Sequence, residues 1–382
     1  MTESMSGDSP VPVLLEPVRR VVVKVGSAVV AGRGRLRPRI IAQLAADVSA
    51  VRHRGCDVVL VSSGAVAAGA PALGLSPPAR TVLERQTSAS IGQPRLMAAY
   101  AAAFRRHRLA VAQLLLTSED IEHRRRFLSG RHTLLTLLSA GVVPIVNEND
   151  ALSTDENKVG DNDHLAALVS NLVSADLLVL LSSVPGLMAD GGRGPVLESI
   201  ELQSDVERHV GRERSAIGVG GMGAKISAAR LAGRGGVPTV IADGTQPGLL
   251  LRIVTGERVG TLLIPAAARL SARKRWIAQQ TRTAGALRVD SGARRALVER
   301  GASLLPSGVI GVSGDFPMGA RVEIRDEDDR VFAVGLASYS AADVRRLQGR
   351  RQAEIRSVLG FEYTREIVHR DDLVVLHAGS AR

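Results

Sequence analysis

Between residues 20 and 265, short and almost uninterrupted apolar runs alternate with longer amphipathic stretches, and few folds accommodate that rhythm. The apolar runs are 21–24, 57–61, 110–116, 142–146, 177–181 and 238–242, with helical stretches between them, as at 39–53 and 83–106. A strand that is apolar along its whole length has no side to turn towards water, so both of its faces must be covered. The pattern predicts an α/β fold: an open, mostly parallel sheet with helices on both faces. Ligands of such sheets bind at the carboxyl ends of the strands. Five of those ends carry small, Gly-rich or acidic segments: GSA after 21–24, SSGAVAAG after 57–61, NEND after 142–146, SSVPG after 177–181 and ADG after 238–242. Together they predict one long crevice.

The rhythm stops near residue 265. SARKRWIAQQTRTAGA reads as a connector, and LRVDSGARRALVERG, GVIGVSGDFPMGARVEIRD and VFAVGLASYS read as short strand-like pieces separated by turns. SAADVRRLQGRRQAEIRSVLG reads as helical, and HRDDLVVLH closes the chain. The expected organisation is a disordered leader at 1–18, a main domain at 19–268, and a small β-rich domain at 283–382 with a helix and tail. MTESMSGDSPVPVLLEPVRR has neither a basic start nor a long apolar stretch, so no secretory signal is expected. No apolar run approaches the ~18 residues of a membrane span, so no membrane contact is expected.

Cys56 is the only cysteine. That excludes internal disulfides and zinc sites needing two thiolates, and it predicts a reducing, cytoplasmic location. The net charge of +11, from 49 basic and 38 acidic residues, raises the question of nucleic acid. From residue 281 onward the balance is 16 basic to 14 acidic, or +2; the other +9 is spread over residues 1–280 as scattered arginines and the run Arg124, Arg125, Arg126. That run follows TSED, an N-cap signal, so it falls on a solvated helix face. With 5 Phe, 3 Tyr and 1 Trp, a base-stacking surface is not expected, nor is a nucleic-acid partner.

The basic residues are informative in another way. Four are lysines (Lys24, Lys158, Lys225 and Lys274), and the other 45 are arginines. A residue type that rare marks positions where a compact ammonium is needed. Three of the four stand in unusual sequence: VVVKVGS, ENKVGDND and GVGGMGAK.

Lys24 lies near the end of a buried strand, where an ammonium is costly unless paired, and Gly26 beyond it lets a ligand approach the backbone. The expectation is a lysine aimed along the crevice at a phosphate. The segment at 218–223, GVGGMG, matches G-x-G-x-x-G, yet residues 203–214, QSDVERHVGRER, are polar where a dinucleotide fold needs a strand. Ala224 stands where a Walker A loop needs lysine. We read instead a glycine loop whose amides meet phosphate, followed by Lys225 in the first turn of the helix KISAARLAGR. The segment SSGAVAAG suits either a carboxylate held on amides and a hydroxyl, or close helix–strand packing. It does not match G-x-S-x-G, so Ser63 is not read as a nucleophile. NEND at 147–150 and GDND at 160–163 flank Lys158 and suit an amino group, Mg²⁺, or both. Their spacing does not fit an EF-hand, and the eight histidines form no metal-binding pattern, so no histidine metal centre is expected.

VVVKVGS, VLVSSGAVAAG, PIVNENDA, KVGDNDHLAALVS and GVGGMGAKISAA, in this order, resemble the bacterial glutamate 5-kinases of the amino acid kinase family. GASLLPSGVIGVSGDFPMGA resembles the PUA domain that follows the kinase domain in many members, and EIRSVLGFEY and VHRDD resemble the family's C-terminal end. The resemblance implies an amino acid kinase fold with a small PUA-like barrel. It implies ATP-dependent phosphorylation of the side-chain carboxylate of L-glutamate to L-glutamyl 5-phosphate, the first step of proline biosynthesis. Mg²⁺ is expected with the ATP. The expected partners are L-glutamate and ATP, with proline as a feedback inhibitor and a homo-oligomeric assembly. The competing readings are another amino acid kinase, acting on acetylglutamate or aspartate, and an RNA-binding role through the PUA domain.

Carried across residue by residue, Lys24 and Lys225 match the phosphate-binding lysines and Asp163 matches the aspartate that orients them, which makes these three the implied catalytic residues. Ser63, Asp150 and Asn162 match glutamate-binding positions. Val219, Gly220, Gly221, Met222, Gly223, Ala224 and Lys225 match the ATP loop, and Lys24 is an implied ATP contact too. After 177–181 the family often has Thr-Asp at an ATP-contacting position. Here Ser182 keeps the hydroxyl and Ser183 replaces the carboxylate; both are carried over as ATP contacts.

Overall fold

The computed structural model describes residues 18–32, 34–75, 81–117, 120, 124–152, 162–210, 221–266, 283–362 and 364–376. The expected leader, Lys158, Val219, Gly220 and most of the connector lie outside them. The described residues fall into two compact units, one within Met1–Ser118 and Leu134–Ala266, the other within Glu119–Thr133 and Ala267–Arg382.

The first unit is built on an eight-stranded sheet: β1 (Arg20–Val25), β2 (Asp57–Ser62), β3 (Val111–Leu116), β4 (Val143–Glu148), β5 (Leu177–Ser182), β6 (Ser199–Glu201), β7 (Thr239–Asp243) and β8 (Thr261–Ile264). The strand order is β3-β4-β2-β1-β5-β7-β8-β6. Six strands are the apolar runs of the sequence, and they pair in parallel. β8 and β6, which the sequence reading did not include, extend one edge; β8 runs antiparallel to β7 and parallel to β6. Its helices are α1 (Pro38–His53), α2 (Ala65–Gly69), α3 (Val82–Arg105), α5 (Asn162–Leu172), α6 (Met222–Arg234) and α7 (Leu249–Val254), while α4 (Arg124–Ser139) contributes residues to both units.

Both faces of the sheet are covered. Val21, Val22 and Val23 point alternately to opposite faces, and all three are 0% exposed. Val21, Val23 and Val25 pack into a core that draws on α1, α3 and α7. The alternation therefore puts Lys24 on the opposite face, which holds α5 and α6. On α4, Arg126 is exposed and paired with Asp120 at 2.8 Å, as a solvated helix face would have it.

One close approach positions the loop after β2. A Cβ on Gly69 would fall 1.8 Å from the carbonyl oxygen of Ser88, and one on Gly92 would fall 1.8 Å from that of Ala65. Helices α2 and α3 therefore meet backbone to backbone, and the packing reading of SSGAVAAG holds for its second half. Gly92→Ala should destabilise the protein by about 3 kcal/mol, because neither backbone can give way without moving the other helix. Thermal denaturation checks this, and an unchanged Tm would contradict so tight a contact.

The second unit contains β9 (Gly285–Val289), α8 (Ser291–Arg300), β10 (Val309–Gly314), β11 (Arg321–Arg325), β12 (Val331–Leu336), α9 (Ala341–Leu347) and β13 (Leu373–Val375). Its sheet has the order β10-β9-β11-β12-β13; β9 and β11 are parallel and the other pairs antiparallel. This strand-rich unit is the small β-rich domain expected after the connector, with β10 and β13 at the two ends of its strand order. Two readings are corrected. SGARRALVER is a helix, not a strand, capped by Asp290, whose side chain accepts from the Ala293 amide at 2.6 Å. The helical stretch after residue 340 is broken: the first piece ends at Leu347, Gln348 is already extended with ψ of 126°, Gly349 turns the chain with φ of +72°, and a second helix follows at Ile355–Leu359.

Candidate active site

The sheet order places five adjacent strand ends, those of β4, β2, β1, β5 and β7, along one edge. Register keeps them level: Val25 lies beside Ser62 and Leu181, and Ser182 beside Asp243. These are the five ends that carry the small, Gly-rich and acidic segments, so the topology brings all five to one edge. Backbone bonds tie that edge together. The Gly26 amide donates to the Leu181 carbonyl at 3.2 Å, the Ser63 amide to the Val25 carbonyl at 3.1 Å, and the Gly244 amide to the Ser182 carbonyl at 2.9 Å.

At the centre, one carboxylate holds two lysines. Lys24 Nζ lies 2.7 Å from Asp163 Oδ1, and Lys225 Nζ lies 3.1 Å from Asp163 Oδ2. The three residues are buried, at 7%, 5% and 1% exposure for Lys24, Lys225 and Asp163. Three charges in so dry a place persist only as a paired set. Burial acts to raise the Asp163 pKa, but the charges and hydrogen bonds of Lys24 and Lys225 outweigh it and hold the carboxyl below its ordinary range. The group is thus anionic at neutral pH and carries one net positive charge with its two ammonium groups.

Lys225 enters from α6, which begins at Met222 with Gly221 as its N-cap. This corrects the sequence reading: Met222, Gly223 and Ala224 form the first turn with Lys225, where a loop was expected. The Ala224 and Lys225 amides donate to the Gly221 carbonyl at 3.1 and 3.4 Å, and the positive end of the helix dipole makes the helix start an anion-favouring environment beside the lysine. Val219 and Gly220 lie outside the described residues. Ser182 ends β5 and Ser183 follows it, exposed.

Beside the lysines runs a chain of side-chain amides. The Asn147 Nδ2 group donates to Gln93 Oε1 at 2.9 Å, and the Asn162 Nδ2 group donates to Asn147 Oδ1 at 3.1 Å and to Ser63 Oγ at 2.8 Å. Asn162 precedes Asp163 at the start of α5, so the chain and the lysine-binding carboxylate share one helix turn. Asn162 Oδ1 is buried and has no hydrogen-bond partner among the described residues. Asp150 sits two residues past β4, and burial pushes its carboxyl up to about 6; Arg85 of α3 opposes that shift.

The structure therefore joins Lys24, Asp163 and Lys225 in one cluster, and Ser63 and Asn162 in another. Asp150 has no recorded contact to Ser63 or Asn162. Two members of the amide chain, Asn147 and Gln93, were not singled out from the sequence. Gln93 could have been found as a polar residue on the apolar stripe of α3, between Ala89 and Leu96.

A buried, carboxylate-held lysine pair thus stands at the carboxyl edge of the covered, mostly parallel sheet of an α/β protein. The amino acid kinase family matches residues 19–243, and the PUA domain matches residues 285–359. The chain belongs to the amino acid kinase family. Curated relatives carry the name glutamate 5-kinase. The protein of Trichlorobacter lovleyi is 46% identical over 369 residues, covering 95% of this chain and 98% of its own. That of Syntrophotalea carbinolica is 46% identical over 367 residues, again 95% and 98%. That of Geobacter sulfurreducens is 45% identical over 369 residues, 95% and 99%.

Proposed function

We propose that this chain transfers the γ-phosphoryl group of ATP to the side-chain carboxylate of L-glutamate, releasing ADP and L-glutamyl 5-phosphate, as the first step towards proline. The observation that carries the reading is the Lys24–Asp163–Lys225 cluster beside the Ser63–Asn162–Asn147 chain: a phosphate site next to a site for an amino acid. A carboxylate nucleophile is already ionised at neutral pH, since its ordinary pKa is ~4.3, so no general base is needed. One of its oxygens bonds to the γ-phosphorus as the bond to the β,γ-bridging oxygen breaks, and ADP carries that electron pair away. The obstacle is repulsion between two anions. Lys24 and Lys225 offset it, and Asp163 holds their ammonium groups in place, so the contribution is positioning and charge neutralisation.

Mg²⁺ enters this reading as part of the nucleotide substrate. Both Asp163 oxygens face lysines, and no group of three His, Cys, Asp or Glu side chains suited to a metal occurs among the described residues. The donor set thus suits a cation carried on the phosphates. We assign ATP to Lys24, Lys225, Ser182, Ser183 and residues 219–224, and glutamate to Ser63, Asp150 and Asn162. Catalysis is assigned to residues 19–268 and the PUA-like domain to 283–382. Cytoplasmic residence, homo-oligomeric assembly and inhibition by proline extend the same family reading.

Asp150 gives a test of the amino acid side. As a carboxylate it can pair with the substrate ammonium, and losing a charged hydrogen bond costs roughly 1.5–3 kcal/mol. Asp150→Asn should raise the KM for glutamate at least tenfold, with much less change for ATP. The pH dependence has a definite sign. The carboxyl titrates near 6, so it is charged above that pH and neutral below. The KM for glutamate should therefore rise as pH falls through about 6, and the Asp150→Asn enzyme should lack that rise. Equal glutamate KM values for the two proteins at pH 8 would remove Asp150 from the site.

The function itself is tested by ADP release with L-glutamate, with N-acetyl-L-glutamate, with L-aspartate and with no acceptor. Release should depend on L-glutamate. Preferential release with either other acid would support the competing kinase readings.

A further inference from the structure

Resting on the assignment of Ser63 and Asn162 to the acceptor substrate, we infer that Gln93 of α3 is a positioning residue: it anchors Asn147, and so holds in place the amide chain whose hydrogen-bond polarity the Glu148 amide fixes. The argument begins at a donor whose role cannot be reversed. The backbone N–H of Glu148 donates to Asn147 Oδ1 at 2.9 Å. The Asn147 amide must then turn its Nδ2 the other way, and Gln93 Oε1 receives it at 2.9 Å. Asn147 Oδ1 has one lone pair left, and Asn162 Nδ2 donates to it at 3.1 Å. The second hydrogen of Asn162 Nδ2 goes to Ser63 Oγ at 2.8 Å.

Each step leaves the next group one choice. Both hydrogens of the Asn162 amide are committed, which fixes where its buried Oδ1 acceptor stands, and that oxygen has no partner among the described residues. Ser63 Oγ has accepted from Asn162, so its own proton remains to be donated. An acceptor and a donor fixed in this way complement the ammonium and a carboxylate of an amino acid. An N-acetylated nitrogen has no positive charge and only one N–H to give.

Gln93 is where the chain is anchored to the body of the fold. It is 8% exposed, and its Nε2 is buried with no partner among the described residues, so the recorded hydrogen bond of its side chain is the one to Asn147. A glutamine kept in a buried helix stripe for structure alone would use both ends of its amide. The same helix supplies Arg85, whose charge favours the ionised form of Asp150. Helix α3 thus backs the amino acid site from behind, and close packing at Gly92, next to Gln93 in sequence, fixes its distance.

The test is steady-state kinetics of the full-length chain. Gln93→Met keeps the length and removes the acceptor, so the KM for L-glutamate should rise roughly tenfold or more while that for ATP stays within about twofold. Gln93→Glu keeps an acceptor oxygen for Asn147 Nδ2 and should recover most of the glutamate affinity. In an Asn147→Ala background the path is cut, and Gln93→Met should add nothing further. An unchanged glutamate KM in Gln93→Met, or its full effect persisting in the Asn147→Ala background, would overturn the inference. So would a lower Tm with both KM values intact, since that is the mark of a purely structural role. Failure of the unsubstituted chain to use glutamate would instead overturn the acceptor assignment beneath it.

Discussion

Replacing Asp163 with Asn is expected to lower kcat by roughly 10³-fold or more. The carboxylate lies 2.7 Å from one buried ammonium and 3.1 Å from another. Asparagine is nearly the same shape, so the cavity is preserved and the charge alone is lost. Two ammonium groups would then face each other where water is scarce. A buried charge that loses its partner costs about 3–5 kcal/mol, and the lysines can avoid that only by moving apart or giving up a proton. Either response removes the paired positive charge that lets a carboxylate approach a phosphate. The Tm should fall as well, because the paired set also joins β1, α5 and α6. Steady-state kinetics with circular dichroism checks both effects. A folded variant with kcat within tenfold of the parent would show that the lysines hold their places without Asp163.

Lys225→Arg should lose roughly 10²-fold in kcat while the fold is retained. Charge is conserved in this change, so only shape is tested. An ammonium concentrates its charge at one atom, whereas a guanidinium is planar, wider and built for two-pronged contacts. Lys225 is 5% exposed and holds Asp163 by one Nζ, a space that a guanidinium overfills. Elsewhere this chain has 45 arginines to 3 lysines, so arginine has been accepted wherever a cation of either shape will do. Near-normal turnover in the arginine variant would reduce that bias to composition alone.

The layered sheet was legible because a doubly covered strand has to be apolar along its buried length, and 21–23, 58–61 and 177–181 are. Their order could not be read the same way, yet it is the order that brings five loops to one edge. β6 and β8 were missed because strands of three and four residues carry too little pattern. The start of α6 was placed too late because Gly223 weakens the helix signal within its first turn. Helix α8 was misread although Ala293, Ala296, Leu297 and Arg300 have helical spacing and Asp290 is a good cap; the neighbouring strand signals outweighed them. The lysine cluster joins residues 24, 163 and 225, and no local pattern links positions so far apart. Family resemblance supplied that link, and the distances give it a physical form. Gln93 had no such route, since its role depends on a bond to Asn147, 54 residues away.

The most direct measurement of the central claim is chemical trapping of the product. An acyl phosphate is attacked by hydroxylamine at its carbonyl carbon, giving a hydroxamate and releasing phosphate. Incubated with ATP, Mg²⁺, L-glutamate and hydroxylamine, the protein should form the γ-hydroxamate of glutamate in step with ADP, and Asp163→Asn should form almost none. ADP release without hydroxamate, or equal release when glutamate is left out, would contradict phosphoryl transfer to the glutamate side chain.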